Sequence, residues 1–274
     1  MSLRKRNPVS PGQRHALLPD YDEVTRQRPD RRLVRGMRRT GGRNNAGKIT
    51  ARFRGGGHKR RYRQIDFHGR VGMTGRVVSI EYDPNRSARI ALLQYPDGVR
   101  TYVIAPSGVK PGDTIACGSD AEPKPGNRLP LRNIPEGTGI FNLELVPGRG
   151  GCMVRAAGTL ATLMVKGDRF GQVRLPSGEV RLIPLDAMAT VGQASNPEHK
   201  YEVSGKAGRV RWKGRKPHVR GTAMNPVDHP MGGGEGRGKG HQAQSPSGVP
   251  AKGYKTRNRK KWTGRLILQR RGRQ

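Results

Sequence analysis

Positive charge in this sequence is crowded into its two ends, and that distribution decides which part of the chain can fold unaided. Residues 1–70 hold 20 Lys and Arg against 5 Asp and Glu, and residues 201–274 hold 19 against 3. Residues 71–200 are nearly balanced, with 15 against 12. Leu, Ile, Val and Phe run the other way: 32 fall in the 130 central residues and 19 in the 144 outside them. The centre can bury a core, whereas the ends mostly cannot offset their own ordering entropy. Over all 274 residues the net charge is +34, so the chain repels itself and calls for a dense polyanion as partner.

Residues 71–200 read as short strands broken by turns at a spacing of about 8 to 12 residues. Val77–Tyr82 alternates, with Val78, Ile80 and Tyr82 on one face and Val77, Ser79 and Glu81 on the other, as a half-buried strand does. Ile90–Tyr95 and Val99–Ile104 form a hairpin around Pro96-Asp97-Gly98, in which Pro fixes φ and Gly can take φ > 0. These elements predict one small β-barrel over 71–120. Residues 121–137, with four prolines and two glycines, read as a linker. A second strand series predicts a second small barrel over 138–200: Ile140–Val146, with Phe141, Leu143 and Leu145 on one face, then Leu160–Val165, Gln172–Leu175 and Glu179–Ile183. The fold class expected is mainly β, tandem small barrels flanked by extended basic arms over 1–70 and 201–274. Helix is scarce, with a turn or two over Ala156–Leu163 or Pro184–Ala189.

Several function classes are disfavoured. Cys117 and Cys152 are too few for a disulfide framework or a four-ligand zinc site, and read as inert thiols of a reducing compartment. No apolar run approaches the roughly 18 residues of a membrane helix, and Pro8, Pro11 and Pro19 interrupt the N-terminus where a signal sequence would be hydrophobic. The acid-free, Arg-rich first 19 residues hint at an organellar transit peptide, but the same prolines spoil its helix. His58, His199 and His229 are scattered. Asp228 and His229 are adjacent, and adjacent side chains usually point apart, so no nucleophile, base or metal set is predicted and the chain is not expected to be an enzyme.

The basic ends are also rich in glycine, as in Gly41-Gly42-Arg43-Asn44-Asn45 and Gly55-Gly56-Gly57-His58-Lys59-Arg60-Arg61. Glycine lets backbone N–H groups approach phosphates closely while neighbouring cations neutralise them. Neither this second stretch nor Gly232–Arg237 fits the phosphate-loop pattern, which ends in Lys-Ser/Thr, so nucleotide hydrolysis is not supported. Arg outnumbers Lys 39 to 15. That bias suits structured nucleic acid, and GC-rich coding would also produce it. Phe53, Tyr62, Trp212, Tyr254 and Trp262 lie among cations. Such rings can stack on unpaired bases at about 1 to 3 kcal/mol each, although simple packing serves Tyr62 and Trp212 equally well.

Five strings carry a resemblance: Gly-Gly-Arg-Asn-Asn at 41–45, Arg-Gly-Gly-Gly-His-Lys-Arg at 54–60, Glu-Tyr-Asp-Pro-Asn-Arg-Ser-Ala at 81–88, Leu-Pro-Ser-Gly-Glu at 175–179 and Ala-Met-Asn-Pro-Val-Asp-His-Pro at 223–230. In this order they resemble the bacterial-type L-two family of large-subunit ribosomal proteins. The resemblance implies an oligonucleotide-binding (OB)-like barrel followed by an SH3-like barrel, and primary binding to large-subunit rRNA near the peptidyl-transferase region. It further implies roles in subunit association and tRNA positioning on the cytoplasmic ribosome. The partners would be rRNA, other ribosomal proteins, the small subunit across the interface and nearby tRNA, without a membrane. No cofactor is implied beyond Mg²⁺ bound through rRNA. By position in Asp-Pro-Asn-Arg and in Val-Arg-Ala-Ala-Gly at 154–158, the resemblance carries rRNA contacts over to Arg86 and Arg155. Arg43, Lys59, Arg60, Arg63, Lys206, Arg209, Trp212, Arg220, Asn225, His229 and Arg237 are further candidates from the motif segments. Many members have a second histidine two residues after His229, where this chain has Met231, so a positional role for that loop is expected rather than proton transfer.

Overall fold

Apolar runs this short, punctuated by Gly and Pro, leave room for short strands and little helix. The computed structural model describes residues 3–234, 240 and 242–272. Its strands are β1 (Leu3–Lys5), β2 (Leu17–Pro19), β3 (Val34–Gly36), β4 (Arg61–Arg63), β5 (Met73–Glu81), β6 (Ile90–Gln94), β7 (Arg100–Ile104), β8 (Thr114–Cys117), β9 (Arg128–Pro130), β10 (Gly139–Phe141), β11 (Ala161–Lys166), β12 (Phe170–Arg174), β13 (Val180–Pro184), β14 (Met188–Val191) and β15 (Ile267–Gln269). Two short α-helices, α1 (Pro11–Arg14) and α2 (Ala207–Trp212), complete the main elements. The chain divides into two units: the first comprises residues 1–38, 59–206 and 265–274, the second residues 39–58 and 207–264. All fifteen strands belong to the first unit.

Eleven of them hydrogen-bond in the order β15-β13-β12-β11-β10-β14-β9-β8-β5-β6-β7, and β1–β2 and β3–β4 form separate pairs. The eleven-strand ladder is open at β15 and β7 and does not close into a ring among the described residues. β8 and β9 pair in parallel through Cys117 and Arg128, and within the ladder this pairing joins the two strand series. The mainly β expectation holds, and the two series share one continuous ladder.

The apolar run Ile90-Ala91-Leu92-Leu93 is buried on both faces of β6. Ala91 and Leu93 pack with Val77, Tyr95, Ala105 and Ile115. Ile90 and Leu92 pack with Tyr102, against Leu33 and Ile65. The basic N-terminal stretch thus supplies apolar cover to the first series rather than serving only as an arm. The second series has a larger core that includes Leu129, Leu131, Ile134, Ile140, Leu143, Leu163, Val173 and Ile183. Phe141 bridges the series, packing with Ala88, Ile104 and Ala194 against Ile65, Phe67 and Val154.

The alternation expected over Val77–Tyr82 is present, with Val77, Ser79 and Glu81 1–4% exposed and Val78 and Tyr82 38% and 43% exposed, but Ile80, on the latter face, is buried as well, and two other local expectations are corrected. The register shifts between Val77 and Ser79, and the buried Glu81 carboxylate accepts from Tyr102 Oη at 2.7 Å and Ser79 Oγ at 3.1 Å. Partners across the sheet therefore make a polar face the buried one. Residues 121–137 contain β9 and a 3-10 turn over Leu131–Asn133, with Leu129, Leu131 and Ile134 fully buried. Their prolines sit where little donation is needed: Pro130 ends β9 and precedes the turn. Neither Ala156–Leu163 nor Pro184–Ala189 forms a helix, and Ile140–Val146 stops being a strand at Asn142, whose φ is 48°.

Candidate nucleic-acid interface

The loop between β5 and β6 is built around Asp83, whose buried carboxylate accepts from Asn85 N at 2.9 Å, Asn85 Nδ2 at 3.0 Å and Arg86 Nε at 2.7 Å. This is an Asx-type turn with an ion pair added, and it fixes the direction of the Arg86 guanidinium. Ser87 ties the loop to the second strand series: its Oγ accepts from Ala157 N at 3.0 Å, and its carbonyl accepts from Asn196 Nδ2 at 2.8 Å. Arg155 rises from the facing turn and donates from Nη1 to Gly151 O at 3.1 Å. Both guanidinium groups lie over the ring of Phe67, Arg155 at 4.6 Å and Arg86 at 5.6 Å from its centroid. The two arginines singled out by resemblance, 69 positions apart, are thus gathered on one aromatic side chain that the sequence reading did not select.

Two further arginines of this unit face inward. Arg63 in β4 is 9% exposed and donates to Arg61 O, which makes it less available to a partner than the other candidates. Arg89 is 2% exposed and lies 4.8 Å from the Tyr21 ring and 5.9 Å from the Tyr82 ring. Burial raises the Tyr21 pKa above the ordinary phenol value. Lys59 and Lys206 are exposed and Arg60 is half-buried. Burial also pushes the Cys117 thiol up to about 11, and Cys152 is exposed and unbridged. Glu81 is raised by burial, against the hydrogen bonds from Tyr102 and Ser79. Tyr102, shielded from water and bonded to that carboxylate, is raised as well.

In the second unit, the Gly-rich string pairs with the chain after α2. Lys216 N donates to Phe53 O at 2.9 Å, Gly55 N to Gly214 O at 3.0 Å, and His58 N to Trp212 O at 2.9 Å. Gly57 has φ 85°, and a Cβ there would fall 2.7 Å from both Trp212 O and Gly214 N. Close backbone approach requires this glycine, whatever it also does for phosphates. Arg43 donates to Gly47 O at 2.8 Å and is exposed, as are Arg220 and Asn225. Arg209 is half-buried on α2, and Trp212, at its end, is 56% exposed. Arg237 lies outside the described residues.

His229 is buried and acts as a pin for its loop. Asn225 O accepts from Asp228 N and His229 N, Gly233 N donates to Met224 O, and His229 Nδ1 accepts from Met231 N at 3.0 Å. The imidazole packs so closely on Gly221 that a Cβ there would lie 2.3 Å from its Cε1. Met231 contributes a backbone N–H, which any residue but proline supplies, so histidine is not needed at that position to hold this loop. In His229→Ala, hydrogen exchange at the Met231 amide is expected to accelerate roughly fivefold, the effect of losing about 1 kcal/mol of local protection. Met231→His should leave that rate unchanged. An unaltered rate in His229→Ala would show that the imidazole holds nothing.

Among the described residues no three His, Cys, Asp or Glu side chains gather where a metal ion could be held. No helix there is long and apolar enough to cross a membrane. What the two units do present is cationic side chains held by carboxylates, carbonyls and aromatic rings. Two family models match the chain: Ribosomal Proteins L2, RNA binding N-terminal domain, over residues 30–117, and Ribosomal Proteins L2, C-terminal domain, over residues 124–248. The chain belongs to the ribosomal protein L2 family and is an RNA-binding protein of the large ribosomal subunit.

Proposed function

We propose that the chain is a primary rRNA-binding protein that holds folded large-subunit rRNA around the peptidyl-transferase region, and so contributes to subunit association and tRNA positioning. Its partners are large-subunit rRNA, neighbouring ribosomal proteins, the small subunit across the interface and tRNA close by, on the cytoplasmic ribosome. The two strand series act as OB-like and SH3-like modules over 71–120 and 138–200, and each has its own apolar cluster. The observation that carries this reading is the convergence of Arg86 and Arg155 on Phe67. Guanidinium groups whose directions are already fixed lose less freedom on meeting a phosphate or a base edge. Lys59, Arg60 and Lys206 of the first unit, with Arg63 behind them, and separately Arg43, Arg209, Trp212, Arg220 and Asn225 of the second, with His229 pinning its loop, offer further contacts, and Arg237 is a candidate from the sequence alone. No catalytic step is needed, and Mg²⁺ enters with the RNA.

The test is retention on large subunits through a high-salt wash, followed by sedimentation. Arg86→Ala and Arg155→Ala are each expected to weaken binding to an rRNA fragment by about 1–3 kcal/mol, as loss of a directed charged hydrogen bond does. Losses no greater than that of an exposed tail arginine such as Arg257 would remove their special status. Equal affinity for random and large-subunit RNA would instead favour a general RNA chaperone.

A further inference from the structure

The second unit carries nineteen Lys and Arg against only Asp228 and Glu235, yet it contains a cleft with apolar lining residues. Neutralising phosphates requires cations and flexible backbone and gives no reason for such a lining. The cleft has a volume of about 680 Å³, inside the range of roughly 300 to 1,000 Å³ typical of sites for small organic groups. Phe53, Ile49 and Val219 are among its lining residues, together with Arg43, Arg52, Arg211 and Lys216.

Phe53 is the unusual member. Its φ of 60° is a left-handed conformation that a bulky side chain seldom adopts, and its carbonyl is held by Lys216 N. The ring sits 4.2 Å, centroid to centroid, from His218 at a tilt of 40°, and the Arg52 guanidinium is 5.3 Å from the ring centroid. Ile49 and Val219 remain 56% and 48% exposed. An uncommon backbone geometry therefore goes with an aromatic ring, packed against His218, that lines an open cleft rich in cations.

We propose that this cleft takes the base of a single unpaired RNA nucleotide, stacked on Phe53, while Arg43, Arg52, Arg211 and Lys216 hold the phosphates on either side. The proposal rests on the RNA-binding reading above and names the form of RNA that reading left unspecified. Charge selects the occupant, since only an anionic chain tolerates these cations, and the Phe53 ring favours a base over the side chains of an acidic peptide.

The full-length protein is titrated against two RNA hairpins that differ only in whether one 2-aminopurine is bulged or paired. The bulged hairpin is expected to bind roughly 5- to 100-fold more tightly, the range that one base–aromatic stack supplies, with its fluorescence quenched on binding. Phe53→Leu keeps the bulk and should lose both effects, and Phe53→Tyr should keep them. Val219→Asp, at a half-exposed lining residue outside the Phe53 turn, is a second test of the cleft and should also abolish the preference. Equal affinity for both hairpins, or a preference that survives Phe53→Leu and Val219→Asp, overturns the proposal. If salt-sensitive RNA binding persists in that case, the RNA-binding reading stands without it, whereas failure to bind either hairpin or an rRNA fragment overturns both. Photo-crosslinks from this cleft to a protein rather than to rRNA, in assembled large subunits, would identify a peptide occupant and likewise overturn it.

Discussion

Glu144→Ala is expected to destabilise the first unit by about 3–5 kcal/mol, the cost of leaving a buried charge without its partner. Glu144 and Arg128 are 1% and 6% exposed at their side chains and meet at 2.8 Å. Arg128 also donates from Nε to His68 O and from Nη1 to Asn142 O, both at 2.9 Å, and Glu144 Oε2 accepts from Gly148 N and Met188 N at 3.2 Å. One guanidinium thus ties β9 to the segment before β5 and to the turn after β10, beside the parallel β8–β9 link. Urea denaturation of the intact chain measures the loss. The double variant Arg128→Met/Glu144→Leu should lose less than Glu144→Ala, because no charge is then stranded, although two carbonyls lose their donor. A loss below about 1 kcal/mol in Glu144→Ala would mean that water reaches the pair and that it is not a joint of the fold.

Arg128 also shows why the sequence was only partly legible. It stands in Asn-Arg-Leu-Pro, inside a stretch with many prolines, and nothing local separates it from the arginines destined for RNA. Burial is settled by Glu144, 16 positions away, and by two backbone carbonyls. Strands whose turns carry their own signal were readable: the hairpin of β6 and β7 follows from Pro96-Asp97-Gly98, and that of β12 and β13 from Pro176-Ser177-Gly178, with Gly98 and Gly178 at φ 77° and 86°. β8, β9 and β14 are three or four residues long and held by neighbours distant in sequence, so no periodicity announces them. Alternation in β5 separates two faces without saying which is inward, and that choice is made by Glu81, which accepts from Ser79 and from Tyr102, a partner that alternation cannot reveal.

The candidate interface divides similarly. Motif strings pointed to Arg86 and Arg155, but Phe67, on which they meet, has no marker beyond being one of four phenylalanines. Phe53 had a signal, a ring between Arg52 and Arg54, and its pairing with His218 across 165 residues had none. Residue type cannot tell Arg63, facing inward, from Lys59 or Arg60 in the same run, because the distinction is made by how β4 pairs with β3.

Raising salt from about 50 to 200 mM is expected to lower affinity for a large-subunit rRNA fragment by roughly 10³- to 10⁵-fold, the consequence of releasing counterions from about six to ten phosphates. The two ends, with 39 Lys and Arg against 8 Asp and Glu, supply far more cations than that number of contacts requires. A filter-binding or anisotropy titration over that range gives the slope, and a flat response would sink the electrostatic account. The slope should also separate the roles of individual residues. Arg220→Gln, at an exposed cation of the second unit, should reduce it by about one. Phe53→Leu should leave it unchanged, since a stacked base releases no counterion. Arg86→Ala should fall between them, because Asp83 already neutralises part of that guanidinium. Its affinity loss should therefore persist at high salt, when contacts from the exposed ends have weakened. The near-neutral centre needs few directed arginines to choose its RNA, and the ends hold it there only as strongly as the ionic strength permits.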